Sequence, residues 1–205
     1  MTTNARTLSI GIYLFDEVEV LDFAGPFEVF STASRVARRL EPSAPPPFEV
    51  TLVADEPRTV RARAGLRVVC GASFADHPPL DVLLVPGGEV SREVERADVA
   101  AWIARTAPGT TVTASVCTGA FLLAKAGLLD GRRVTTHWED LDDLRRAFPS
   151  LRVESGAPWI DEGRIVTSAG ISAGLDMSLH LVSRLAGRAL AERTARQMDY
   201  VWRQA

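Results

Sequence analysis

One cysteine stands where chemistry could be done. The run Thr111 to Val116 is short and strand-forming, ends in Cys117, and turns at once into the apolar, helix-forming stretch Thr118-Gly119-Ala120-Phe121-Leu122-Leu123-Ala124. A side chain at such a strand-to-helix corner is held out of the sheet on a tight turn, beside the first free N–H groups of the helix. The positive end of the helix favours thiolate over thiol and can lower a cysteine pKa from ~8.5 to roughly 3.5–7.5. Cys117 is therefore read as an activated nucleophile. Packing as a small hydrophobe is the commoner fate of an intracellular cysteine. It fits this position less well, because the polar Thr118 and Gly119 occupy the turn.

Three further features could meet such a sulfur. Gly87 and Gly88 follow the apolar run Asp81-Val82-Leu83-Leu84-Val85 and Pro86. Glycines there let backbone N–H groups approach a ligand with no Cβ in the way, and with the Thr118 N–H they are expected to form an oxyanion-type hole. Asp22 lies between Leu21 and Phe23, and desolvation would raise its pKa and keep a proton available near neutrality. Its competing role is a helix N-cap. Glu17 and Glu19 are the rival carboxylates, read as solvated loop residues. His137 ends the run Val134-Thr135-Thr136 and is read as shaping the pocket, whereas His77 and His180 read as structural.

Alternating strand-length and helical patterns must place these residues, and they predict a parallel sheet with crossover helices. Strands are expected at Leu8 to Leu14, Phe48 to Ala54, Asp81 to Val85, Gly131 to Thr136, Arg152 to Glu154, Trp159 to Asp161 and Ile165 to Thr167. A short antiparallel pair is expected between Thr59 and Phe74. Helices are expected at Leu21 to Leu40, entered through Gly25-Pro26, at Glu93 to Ala107, at Trp138 to Phe148, and from near Gly174 onward. The carboxyl ends of parallel strands form the ligand crevice of such a sheet. The first strand and the strand before Cys117 are expected to be central neighbours, which would bring Asp22 close to the sulfur.

At 205 residues the chain suits one domain over 1–205. Charged residues make up 24% with a net charge of -3, which gives no electrostatic pull toward nucleic acid. Two cysteines, Cys70 and Cys117, provide neither a disulfide framework nor a zinc spacing. Residues Met1 to Arg6 are short and polar, and the apolar stretch after them carries Asp16, Glu17 and Glu19. That pattern predicts no signal peptide and no membrane span, and hence a cytoplasmic protein.

Taken together, these residues resemble the ThiJ/PfpI superfamily, of class I glutamine-amidotransferase-like fold. The matching segments are Leu21 to Phe30, Val85-Pro86-Gly87-Gly88, Ala114 to Ala120, Gly127 to Trp138 and Ser168 to Asp176. Leu21-Asp22 before Gly25-Pro26, with Thr118 after the cysteine, looks most like the isonitrile hydratases and the sensor domains of certain AraC-type regulators. Protease-like members carry His directly after the cysteine, so Thr118 argues against peptidase activity. The resemblance implies a flavodoxin-like three-layer sandwich, a mostly parallel central sheet with a nucleophile-elbow cysteine, and a homodimer. It also implies a cysteine-dependent hydratase turning a small-molecule isonitrile into an N-substituted formamide. Cys117 would be the nucleophile, Asp22 the acid and later base, and no metal or organic cofactor would be needed. The rival expectations are a small-molecule sensor and a redox or carbonyl-repair protein. A sensor of this kind normally continues into a helix-turn-helix region, for which a chain ending at Ala205 is too short.

Overall fold

The computed structural model describes residues 6–204; the polar N-terminal stretch 1–5 and Ala205 lie outside the described residues. In chain order the elements begin with β1 (Leu8–Tyr13), α1 (Val20–Leu40), β2 (Phe48–Ala54), β3 (Arg58–Arg61), β4 (Arg67–Cys70), β5 (Ala72–Ser73) and β6 (Val82–Val85). They continue with α2 (Ser91–Glu95), α3 (Ala97–Thr106), β7 (Val112–Val116), α4 (Gly119–Lys125), β8 (Arg133–Val134), α5 (Leu141–Ala147) and β9 (Arg152–Val153). Last come β10 (Trp159–Asp161), β11 (Ile165–Ser168), α6 (Ala173–Ala186) and α7 (Arg188–Gln197).

Seven strands form the central sheet in the order β10-β11-β7-β6-β1-β2-β5, and only β10 runs antiparallel to its neighbour. The central strands are buried on both faces, as expected of a parallel sheet covered by helices. Helices α1, α6 and α7 pack together as one layer, and α2, α3 and α4 as the other. Apolar residues from both layers and the sheet join in a single core containing Ile10, Ile12, Phe30, Leu84, Trp102, Leu123 and Leu179. Among the described residues no helix is long and apolar enough to cross a membrane.

Register decides what meets at the top of the sheet. Ile12 pairs with Leu84, Val85 with Ser115, and Val116 with Ser168. The segments that leave β1, β6, β7 and β11 therefore emerge side by side. β6 lies between β1 and β7, so the first strand and the strand before Cys117 are not neighbours as the sequence suggested.

Four elements differ from the sequence reading, each for a local reason. Helix α1 begins at Val20, one turn before Gly25-Pro26, with the Glu19 side chain capping the Val20 N–H at 3.1 Å. The helix between 93 and 107 is two helices broken at Arg96, whose guanidinium is engaged by Asp55 and Asp98. The strand expected at 131–136 shrinks to Arg133–Val134, paired with β9 outside the main sheet. Beyond it the Thr135 N–H donates to Thr167 Oγ1 and the Thr136 hydroxyl to the Cys117 carbonyl, so side chains and loops take over from the ladder. The helix expected from near Gly174 is α6 and ends at Ala186 as its apolar face does; α7, which the sequence reading did not name, begins after Gly187, whose φ of 97° breaks the helix.

Among the glycines, the tightest approach of one backbone to another is at Gly119, the first residue of α4. A Cβ there would lie 2.1 Å from the Val85 carbonyl oxygen, which is backbone and cannot swing away. Gly119→Ala is expected to destabilise the protein by about 1–3 kcal/mol, or roughly 3–10 °C in thermal melting. A melt within a degree of the wild type would show that β6 and α4 can separate freely.

Candidate functional site

Cys117 sits at the corner between β7 and α4 with φ 55°, a left-handed conformation costly for a residue with a side chain. Its N–H donates to the Ser168 carbonyl, and its own carbonyl accepts from the Thr136 hydroxyl at 2.8 Å. These bonds hold the corner from the β11 side. The side chain is only 8% exposed and borders a cavity of about 460 Å³, whose lining includes Gly88, Thr118, His137 and Ile171.

Asp22 reaches the same place from the first turn of α1. The segment after β1 is stitched to the segment after β6: the Glu19 N–H donates to the Gly87 carbonyl and the Glu89 N–H to the Glu17 carbonyl. This antiparallel bridge at Val18 and Gly88 swings the start of α1 over the end of β6. Asp22 is then fully buried, and its Oδ2 accepts the Gly87 N–H at 3.0 Å. Its Oδ1 has no hydrogen-bond partner, although the Cys117 thiol and the Ile171 amide lie close enough to act on the carboxyl. Asp22 is therefore not the N-cap of α1; Glu19 fills that role and also borders the cavity. Glu19, named from the sequence as a rival carboxylate but read as a solvated loop residue, is thus the cap that the sequence reading assigned to Asp22 as its competing role.

Burial raises the Asp22 carboxyl to about 7, against a lowering pull from the Gly87 N–H, and the nearby Glu19 raises it further. The same burial pushes the Cys117 thiol up, and the Asp22 charge adds to this. The Thr118 amide at the start of α4 pulls the thiol down, as the helix argument anticipates, but desolvation outweighs it. Burial thus favours the protonated form of both groups, and it works against the helix-end pull on the sulfur that the sequence reading relied on.

The two glycines do something other than expected. The Gly87 N–H is spent on Asp22, and the Gly88 N–H donates to Thr118 Oγ1 at 2.9 Å. The Thr118 hydroxyl donates in turn to the Gly88 carbonyl at 3.0 Å, closing a small ring. Neither glycine amide is free to serve as an oxyanion donor, and of the proposed trio only the Thr118 N–H acts at the sulfur. What the glycines supply is space: a Cβ at Gly87 would lie 2.6 Å from the Thr118 nitrogen and 2.9 Å from Asp22 Oδ2.

His137 borders the cavity with its ring against Gly170, where a Cβ would come within 2.0 Å of the imidazole. Its Nδ1 lies 3.4 Å from Asp140 Oδ2. Trp138, 71% exposed, stands at the mouth. The other two histidines are tied into the framework: His77 Nε2 accepts from the Trp102 indole, and His180 Nε2 lies 2.7 Å from Asp161. Cys70 is buried in β4, in the hairpin with β3, and burial raises its thiol to about 11. Among the described residues no cluster of three His, Cys, Asp or Glu side chains is arranged to hold a metal ion.

Two outcomes test this geometry. Asp22 takes up an extra proton on folding between its ordinary pKa near 4 and about 7, so its contribution falls as pH rises through that window. Asp22→Asn removes the loss: the melting temperature of the variant relative to wild type should rise by roughly 3–10 °C between pH 5 and pH 8. A pH-independent difference would mean that the carboxyl is not desolvated. Iodoacetamide near neutral pH should alkylate Cys117, which borders the cavity, before Cys70; the reverse order would remove Cys117 from the site.

Comparison with known proteins agrees with this architecture. The sequence pattern of the DJ-1/PfpI family matches residues 8–184. The chain is 34% identical to the isonitrile hydratase of Pseudomonas putida over 194 residues, 94% of this chain and 78% of the hydratase. It is 32% identical over 198 residues to the HTH-type transcriptional regulator GbdR of Pseudomonas aeruginosa, covering 96% of this chain and 52% of the regulator. The chain thus spans about half the length of that regulator. The crystal structure of a ThiJ/PfpI family protein from Pseudomonas syringae superposes with a TM-score of 0.83 at 28% identity, over 95% of this chain and 76% of that one. With the match running from β1 into α6 and the fold shared with a solved member, this chain belongs to the DJ-1/PfpI family.

Proposed function

We propose that the protein is a cysteine-dependent hydratase that adds water to an isonitrile, R–N≡C, to give an N-substituted formamide. The observation that carries the reading is the buried pair of Asp22 and Cys117, a carboxyl near neutrality acting on a thiol that burial keeps protonated. The 34% identity to an isonitrile hydratase supports the choice of substrate class. In the one-proton form of the pair, the Asp22 carboxylate takes the thiol proton as sulfur attacks the terminal carbon, and then delivers it to that same carbon. The product is a thioimidate, R–N=CH–S–Cys117. Asp22, again a carboxylate, withdraws a proton from water as the oxygen adds to the thioimidate carbon. The nitrogen becomes N–H, sulfur leaves and recovers its proton, and R–NH–CHO is released. The Thr118 N–H steadies the sulfur while it bears charge, and His137 with Trp138 bounds the space for R. The reading includes a homodimer, as the family resemblance implies, and no metal or organic cofactor.

A second reading has its own support. The similarity to a transcriptional regulator spans 96% of this chain, so the same cavity could bind a small molecule as a sensor without turning it over. Turnover separates the two readings. Asp22→Asn should lower kcat/KM for an accepted isonitrile by roughly 10² to 10⁴, the usual worth of a positioned acid/base, while the variant stays folded. Wild-type kcat/KM should fall as pH drops through about 7, because a second proton on the pair blocks thiol deprotonation. Binding without formamide production would favour the sensor. Unchanged turnover in Asp22→Asn would move the proton chemistry to another group.

A further inference from the structure

A second cavity of about 590 Å³ adjoins the one that Cys117 borders, and His137, Trp138 and Ile171 line both. Its walls are mostly apolar, from Trp138, Leu141, Pro158, Ile171 and Ala173. Among the described residues, apart from His137, its only ionisable lining residue is Arg203, in the tail after α7. Glu19, Glu89, Glu139 and Asp140 surround the first cavity with only Arg63 to offset them. An anionic group is therefore disfavoured near the sulfur and favoured at the far end.

The tail is fixed in place by groups other than the guanidinium. The Arg203 N–H donates to Asp176 Oδ1 at 2.8 Å, and the Trp202 indole N–H donates to the Asp176 carbonyl at 3.2 Å. Asp176 is buried in the first turn of α6, directly after the loop that forms the shared wall. Among the described residues the Arg203 side chain makes no hydrogen bond and no ion pair within 4 Å; its charge acts through space on the buried Asp176 carboxyl and on Tyr200, which leaves its five donors available.

From this arrangement we infer that the second cavity is a distal subsite for a substrate whose apolar arm ends in an acidic group, with Arg203 as the specificity-determining cation. This rests on the proposed function only for the identity of the reacting end. A planar guanidinium on an apolar wall suits a carboxylate, which it can hold through two parallel hydrogen bonds. An uncharged arm would fill the apolar walls and leave those donors to water.

The experiment uses ω-isocyanoalkanoates with two to six methylenes, each beside its methyl ester. At the chain length that spans the two cavities, wild-type kcat/KM should favour the acid over the ester. Arg203→Gln, which keeps the backbone N–H to Asp176, should reduce that preference by about tenfold to a hundredfold, and Arg203→Lys should retain part of it. No preference at any length, or one that Arg203→Gln leaves unchanged, would overturn the inference. Slowing of iodoacetamide alkylation of Cys117 by 4-phenylbutanoate gives a readout independent of turnover. Protection that Arg203→Gln weakens supports the subsite even if no isonitrile is hydrated, in which case the hydratase reading alone falls. Absence of protection together with absence of acid preference defeats the subsite.

Discussion

Everything at the top of the sheet depends on how little room there is at the end of β6. Three elements converge on Gly87 and Gly88: the segment after β1 that starts α1, the corner after β7, and β6 itself. At Gly88 a Cβ would meet the Glu17 carbonyl at 2.4 Å, and at Gly87 it would press on both Thr118 and Asp22. All the atoms at Gly88 that would have to yield are backbone, so the approach cannot be relieved by a rotamer change. Gly88 also has φ 139°, a region that L side chains rarely adopt. The pair of glycines lets an acid carried on one element and a sulfur carried on another sit beside the same strand end, although their strands are not neighbours. Without that approach α1 could still form, but Asp22 would have no amide to accept from and no sulfur to face.

The cost of the arrangement is electrostatic, and its size explains the protonation states. Desolvation acts on carboxyl and thiol alike; the Gly87 amide, the Cys117 thiol and the Ile171 amide oppose it at Asp22, and the Thr118 amide and hydroxyl oppose it at Cys117, without outweighing it. A helix terminus stabilises nearby anions by about 0.3–1 kcal/mol when exposed and up to ~2 kcal/mol when partly buried. Burying a group without full compensation can shift its pKa by several units. The helix end after Cys117 thus loses to burial, and the pair settles the contest by keeping at least one shared proton at neutral pH. On the proposed hydratase reading, attack by the sulfur would be coupled to proton transfer rather than preceded by ionisation.

Much of this was legible from the chain because the signals are local. The strand-length apolar runs gave β1, β2, β6, β7 and β11 within a residue or two. The sharp change from Val116 to Gly119 located the corner, and Asp22 between two apolar residues announced its own burial. What the sequence could not convey depended on partners far away along the chain. Gly87 and Gly88 look like donors in isolation, and only the geometry reveals that Asp22 and Thr118 already occupy them. Gly25-Pro26 looks like a helix entrance, because proline suits a first turn. Here Pro26 lies inside α1 and withholds the N–H that would have bonded the Asp22 carbonyl. Glu19 gave little sign of its role, since a capping glutamate is less usual than Ser, Thr, Asp or Asn. The break at Arg96 likewise depends on Asp55, forty-one residues earlier.

The condition of Asp22 bears on whether the cavity was shaped for turnover or for recognition alone. A receptor gains affinity from shape and from satisfied polar contacts. A fully buried carboxyl with one oxygen lacking a well-formed partner costs about 1–3 kcal/mol and contributes little to either. Moreover, Asp22 is not among the residues that line the cavity Cys117 borders. A ligand resting in that space would meet the thiol, Thr118 and His137 before it met the acid. Such a group comes within proton-transfer reach of a ligand atom only when that atom is brought up to the sulfur, so under the proposed reading its proton serves the carbon being bonded there and the water that follows. On the proposed hydratase reading, this placement serves bond-making at Cys117 rather than the fit of a ligand at rest.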